Sequence, residues 1–288
     1  MANYWLICFP LPRTVIRKID VIYRSFLWSG IVSMSRKSPV AWTNVCKHVK
    51  EGGLGVVDLL TWNKCYMLKL LWNICNKSGN LWVKWVHTYY LEKTNIMDVK
   101  PKVNSTWIMR GILEQVGFIG PNVAVWNTMR AKGKIRMKSI YNILKPGADK
   151  SWHRLMKNNL ARPRAIIILW LACHMKLATK SRLVIFDLMT NSECGLCNKE
   201  ETIQYMFFEC EEIKNIWSRI LQRIQVNHTP KIWDEEIAPA ETIYGAWNFR
   251  NGVCFGKIMD REIAVQDIIS RLFLEGGLVR FLSHILLD

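Results

Sequence analysis

Two cysteines two residues apart, Cys194-Gly-Leu-Cys197, can grip one ion from a single tight turn, and this pair is the strongest local constraint in the chain. Beyond a short acidic stretch and Thr202-Ile-Gln-Tyr205-Met-Phe-Phe-Glu, a third cysteine, Cys210, follows thirteen positions after Cys197. Arriving from a short helix or strand, its thiolate can close on the same ion. A tetrahedral structural zinc site needs a fourth ligand, and its natural place is five residues before Cys210. Tyr205 stands there, and a phenol ionising near pH ~10 is not an ordinary zinc ligand. Three outcomes are open: a metal-free hairpin, a site completed from elsewhere, or the remains of a four-ligand site.

At 288 residues the chain has room for about two domains or one large irregular one. It is half apolar and holds 14 Trp, so a sizeable core is expected, with some Trp left over for a partner. The longest apolar run, Ala165 to Cys173, falls well short of the ~20 residues of a membrane span and reads as a buried helix, so no membrane partner is expected. The first residues, Met1-Ala-Asn-Tyr-Trp-Leu, lack a basic leader, so secretion is not expected. Nine Cys are then expected as reduced thiols inside the cell, in nucleus or cytoplasm.

Charge is unevenly placed. Residues 1–190 hold 30 Lys and Arg against 8 Asp and Glu, whereas residues 191–288 hold 10 against 15. A basic region with interleaved aromatics suits a polyanion, because each neutralised phosphate releases counterions. A solvated basic surface, or one facing an acidic domain, gives the same count. Arg130, Lys132, Lys134, Arg136 and Lys138 form the densest basic strip, around Gly133, and are the candidate phosphate contacts.

Helical spacing dominates the rest, and the predicted fold is mainly α: an irregular multi-helix array with a small cysteine-bearing hairpin, zinc-knuckle-like, around 191–210. Val15, Ile16, Ile19, Ile22, Phe26 and Leu27 mark a first helix ending at Gly30. Glu51-Gly-Gly-Leu-Gly55 reads as a plain turn, since nothing of a phosphate-binding loop follows it. Asp58 is placed to cap a helix whose apolar face runs from Leu59 to Ile74, and Leu81 to Tyr90 gives an aromatic-faced one. Residues 93–136 read as less regular, broken at Pro101, Gly111, Gly117, Gly120 and Pro121. Further helices are expected at Tyr141–Leu144, Trp152–Leu160, Pro163–Met175, Ile213–Ile224, Glu241–Phe255 and Arg261–Leu287. Asp234-Glu235-Glu236 suits a helix N-terminus better than a metal. Cys173 and His174 are adjacent on a helix, so their side chains diverge and do not form a nucleophile–base pair.

Several collinear segments together resemble the downstream part of plant LINE-type (non-LTR) retrotransposon reverse transcriptases. They include Phe9-Pro-Leu-Pro with Phe26-Leu-Trp-Ser-Gly30, Glu51-Gly-Gly-Leu-Gly-Val-Val-Asp-Leu59, and Leu81-Trp-Val-Lys-Trp-Val-His87. Lys138-Ser-Ile-Tyr141, Ala161-Arg-Pro-Arg-Ala165, Leu169-Trp-Leu-Ala172 and Leu177 to Leu183 resemble the family's zinc-binding domain, which runs through the cysteine frame to Ile216-Trp217. Glu241-Thr-Ile-Tyr244 with Trp247 and Arg250-Asn251 is similar to its tail. The resemblance divides the chain into a post-polymerase segment at 1–55, a Trp-rich helical linker region at 56–135, a zinc-binding-like domain at 136–225 and a helical tail at 226–288. It implies zinc held by Cys194, Cys197, a His and Cys210, with Tyr205 standing where the family has His. The set is then one ligand short, and structural zinc in small fingers is worth ~10–16 kcal/mol, so the loss matters. His174 and His228 are the nearest substitutes, though neither is spaced for the task.

The family's polymerase turn carries adjacent aspartates, and this sequence has no Asp pair. Two-metal chemistry needs clustered carboxylates, so the chain is expected not to be an enzyme. The expected role is non-catalytic association with RNA or DNA through non-specific phosphate contacts. A helical interaction module docking on an upstream polymerase portion or another protein is the rival reading, and a decaying relic with no selected function is the third.

Overall fold

Apolar residues recurring at three- and four-residue steps become helices throughout a computed structural model, which describes residues 10–30, 38–92, 94–101, 104–119, 126–127, 136–150, 152–156, 161–225 and 240–274. No β-strand occurs among them, only an isolated antiparallel bridge between Glu193 and Glu200. The protein is mainly helical, as the spacing predicts. It divides into two units, one of residues 1–38, 45–47 and 55–148, the other of 39–44, 48–54 and 149–288.

In the first unit, helix α1 spans Arg13–Ser29 and closes on Gly30 in the left-handed region (φ 68°), whose N–H returns to Phe26 O. Leu11 and the Asn63 side chain exchange two hydrogen bonds, which pins the approach to α1. Helix α2, Leu59–Cys75, starts where Asp58 accepts from Leu60 N, the cap expected from sequence. Helix α3, Leu81–Val86, runs on through a π-helical turn, His87–Leu91. Trp82 packs against the core, whereas Trp85 is 46 % exposed beside Tyr89 and Tyr90. Helix α4, Trp107–Ile119, corrects the reading of 93–136 as irregular. Gly111 lies inside it because α2 comes close: a Cβ there would stand 2.7 Å from Met67 Cε. Packing, not a break, explains that glycine. Helix α5, Met137–Leu144, completes the unit, and its Tyr141 hydroxyl accepts from Asp58 N. Cys65, Leu68, Leu71, Ile74, Ile112 and Ile140 form the core, each worth roughly 1.5–3 kcal/mol when buried.

In the second unit the helix expected over Trp152–Leu160 is seen at His153–Met156, and 157–160 lie outside the described residues. Helix α6, Pro163–Cys173, begins with Pro at its first position, where a missing N–H does no harm. A short helix α7, Lys180–Ile185, follows, which helical spacing did not reveal. Then come α8, Glu211–Arg223, α9, Ala240–Cys254, and α10, Arg261–Leu274. The remainder of the helix expected to run to Leu287 lies outside the described residues, as do Asp234, Glu235 and Glu236. Leu169, Phe207, Ile213, Ile216, Trp217, Ile243 and Ile268 form the core of this unit, and Cys194 and Cys210 belong to it.

Candidate metal centre

The hairpin expected around 191–210 is built from a handful of backbone bonds. Glu201 N donates to Ser192 O at 2.9 Å, Cys194 N to Lys199 O at 2.6 Å and Asn198 N to Cys194 O at 3.0 Å. These set Cys194 and Cys197 on one tight loop. The chain returns through Tyr205–Glu209, a π-helical turn whose wider gauge lets Cys210 N reach back to Tyr205 O at 2.8 Å. Cys210 is also the N-cap of α8, and Trp217 on that helix donates from Nε1 to Phe207 O at 3.1 Å. Met206, Phe207 and Phe208 are buried beneath the turn. The third thiol is therefore held by core packing and not by the hairpin.

The sulfurs of Cys194, Cys197 and Cys210 lie within 4.8 Å of one another, with Cys197 Sγ and Cys210 Sγ 3.6 Å apart. A tetrahedral ion with metal–sulfur bonds of ~2.3 Å sets its sulfurs about 3.8 Å apart, so three corners of such a site are in place. The fourth is not. Tyr205 Oη lies 2.9 Å from Cys197 Sγ, and the phenolic O–H, the stronger donor, is set to donate to that sulfur. That contact engages the phenol with one of the three sulfurs. Among the described residues no fourth His, Cys, Asp or Glu joins the trio, one short of the four ligands of structural zinc.

The thiols do not share one acidity. The Cys210 thiol and the amides of Leu196 and Cys197 stabilise the Cys194 thiolate, bringing its pKa down to about 6 despite burial. Sharing with Cys194, together with burial, pushes Cys210 up. Burial and the Cys197 sulfur push the Tyr205 phenol up. By contrast, burial raises Cys46 and Cys65 to about 12, which marks them as inert core thiols.

An ion pair that sequence inspection missed anchors the loop. Glu201 is fully buried, and Arg250 on α9, 4 % exposed, meets it with both Nε (2.9 Å to Oε2) and Nη2. The same carboxylate accepts from Lys180 N at 2.7 Å, and Glu201 O accepts from Ser181 Oγ at 2.7 Å. One acid thus closes the start of α7 and ties α9 to the end of the hairpin. Glu200 and Glu201 read only as an acidic stretch, and no local signal separates the buried one from its exposed neighbour. Gly195, between the first two thiols, leaves room for Cys254 at the end of α9: a Cβ there would stand 3.0 Å from Cys254 Sγ.

Residues 136–217 match the family described as zinc-binding in reverse transcriptase. This stretch is reverse-transcriptase-related. An Arabidopsis thaliana protein named as a ribonuclease H protein is 27 % identical over 137 residues, covering 43 % of this chain and 22 % of that protein. An uncharacterized mitochondrial protein of Arabidopsis thaliana is 26 % identical over 135 residues, covering 43 % of this chain and 87 % of it. The chain thus spans about a fifth of the first relative's length. No solved structure matches.

Of the two substitute ligands weighed from sequence, His174 does not join the thiols. His174 Nε2 lies 2.7 Å from Gly52 O, and its ring packs edge-on against Trp152 and Trp170. His228 lies outside the described residues. Of the basic strip, Arg130, Lys132 and Lys134 also lie outside them, while Arg136 and Lys138 are exposed at the start of α5. A second basic surface was not legible in sequence. Arg13, Arg17, Lys64 and Arg110 line one cavity of 820 Å³ between α1, α2 and α4, where Glu114 is the lone carboxylate of the wall. These residues are spread over nearly a hundred positions, so only folding brings them together. No helix among the described residues is long and apolar enough to cross a membrane.

Proposed function

We propose that this chain is a non-catalytic, nucleic-acid-associating region of the kind that follows the polymerase in plant LINE-type reverse transcriptases. The observation that carries the reading is the convergence of Arg13, Arg17, Lys64 and Arg110 on one cavity, in a chain of net charge +17 whose 136–217 match a reverse-transcriptase family. Four cations against one carboxylate make a phosphate-attracting surface. Trp107, 44 % exposed in the same wall, offers a face on which a base can stack. Arg136 and Lys138 add exposed charge to α5. The contacts are to backbone phosphate and carry no base specificity.

The test is binding of RNA and DNA oligonucleotides across a salt series. Six phosphate contacts give a slope of log K against log salt of roughly −4 to −5. Replacing Arg17, Lys64 and Arg110 with Gln weakens binding to all sequences alike and makes the slope shallower by about 2 to 3. Lys132, Lys134 and Arg136 replaced together do the same if the strip takes part. Absence of binding at low salt, where counterion release is strongest, overturns the reading.

One observation favours an interaction module instead. Ile185, Phe186, Leu188 and Met189 are exposed together at and beyond the end of α7, with Ile185 at 76 % and Leu188 at 70 %. A partner held by such a surface stays bound at high salt. The salt series therefore separates the two readings.

A further inference from the structure

The donors around Cys197 disagree with a four-ligand zinc site in a definite way: three sulfurs converge, and the fourth group hydrogen-bonds to one of them. We propose that Cys194, Cys197 and Cys210 form a three-thiolate site for a three-coordinate, thiophilic ion, and that Tyr205 turns the site away from tetrahedral zinc. The proposal stands apart from the nucleic-acid reading and does not rest on it.

Softness comes first. Thiolates prefer soft ions such as monovalent copper, and trivalent arsenic bonds to three sulfurs with no fourth ligand required. Zinc, with no preference from its d-electrons, is held in structural sites by four ligands in a tetrahedron. A planar three-coordinate ion with ~2.3 Å bonds sets its sulfurs about 4 Å apart and pyramidal trivalent arsenic sets them closer; the separations here are 3.6 Å for Cys197–Cys210 and at most 4.8 Å for all three, within reach of either by small side-chain rotations. Cys194 and Cys210 are buried, at 1 % and 0 % exposure, and Cys197 is half-buried, so two of the three thiols belong to the core.

The residue nearest in sequence to a fourth ligand is engaged with one of the sulfurs. Tyr205 Oη stays within 2.9 Å of Cys197 Sγ, about half an ångström closer than oxygen and sulfur stand when both are bound to one tetrahedral zinc. The next thiol, Cys254, lies against Gly195 but outside the trio whose sulfurs are mutually within 4.8 Å among the described residues. His174 is engaged at Gly52 O. No fourth ligand atom stands within that distance of the three sulfurs among the described residues.

Loading with arsenite balances without oxidant or reductant. Three S–H and three As–O bonds break, three As–S bonds form, and three waters leave. Loading with Cu(I) displaces thiol protons and leaves the ion's charge unchanged.

The experiment uses the full chain, reduced and freed of metal by chelator, with native mass spectrometry counting ions and a thiol reagent counting protected cysteines. The probes are arsenite, Cu(I) and Zn(II), each in competition with the others. The expected result is one arsenite or one Cu(I) per chain, three thiols protected, and Zn(II) displaced by either. Arsenite alone assigns a trivalent ion, and Cu(I) alone a monovalent one. Tyr205→His restores a fourth ligand and is expected to shift preference toward Zn(II) by at least about tenfold. That variant and the wild type carry the test even if Cys→Ser variants fail to fold. The proposal is overturned if neither soft probe binds, if three thiols are not protected, or if the wild type keeps Zn(II) as tightly as Tyr205→His does. If Zn(II) is kept and Cys254→Ser releases it, the site is a four-thiolate zinc site and the proposal is wrong.

Discussion

The Tyr205 hydroxyl lies 2.9 Å from Cys197 Sγ, so the phenol five residues before Cys210 is hydrogen-bonded to one of the three clustered thiols. The contact satisfies a half-buried thiol that a metal would otherwise satisfy. In chelator, Tyr205→Phe is expected to destabilise the chain by about 0.5–1.5 kcal/mol, the worth of one hydrogen bond. Tyr205→His in excess zinc is expected to raise both metal content and thermal midpoint, because binding to the folded state alone stabilises it. Elemental analysis and calorimetry check both, and a His variant with unchanged zinc content contradicts the ligand geometry.

Glu201 and Arg250 form a buried pair whose partners should not be removed singly. Arg250→Met leaves the Glu201 carboxylate buried at 0 % exposure and is expected to cost about 3–5 kcal/mol. The joint variant Glu201→Leu with Arg250→Met is expected to cost much less than the sum of the singles. Urea unfolding of the cycle measures this, and strict additivity would show that the pair is not energetically joined.

Asp58 makes stability depend on pH at the acid end. Burial pushes its pKa up, but hydrogen bonds from Lys145, Thr61 and Leu60 N outweigh it, and the net value lies below the usual carboxylate range. A folded-state pKa below the unfolded one contributes stability above the unfolded value of ~3.9, lost as pH falls through the folded value. Asp58→Ala is expected to cost about 1 kcal/mol near neutral pH, mostly as a lost cap, since the Lys145 pair is a quarter exposed. Below the folded pKa the charge contribution is gone, so the gap in thermal midpoint between wild type and Asp58→Asn should close with acid. A gap that stays constant from neutral pH to pH ~3 would remove the carboxylate from the account.

Polymerisation is not expected. Purified protein should not extend a primer on RNA or DNA template with Mg²⁺ or Mn²⁺, because the sequence holds no paired aspartates of a two-metal centre. Template-dependent extension above a heat-treated control would refute this.

Local pattern made much of the fold legible. Asp58 as a cap, Gly30 as a stop and Pro163 as a first helical residue act within one turn of the chain, so their neighbours alone settle them. The spacing of Cys194, Cys197 and Cys210 likewise forecast a convergent trio, and the sulfurs do converge. Helix α4 was missed because Gly111 looks like a break when only sequence neighbours are weighed. Its reason is Met67, forty-four positions earlier, pressing on the same spot.

Long-range effects decided the rest. A buried acid is indistinguishable from an exposed one until its partner arrives, and Arg250 meets Glu201 across forty-nine positions. The same holds for the cavity that gathers Arg13, Arg17, Lys64 and Arg110, since charge counts fix how much positive charge there is and not where it meets. Sequence alone determined that a phenol stands five residues before Cys210, where a fourth ligand would be expected. Tertiary structure decided what the phenol does there, because the wide turn at Tyr205–Glu209 sets its hydroxyl within hydrogen-bond reach of Cys197, and no spacing rule contains that distance.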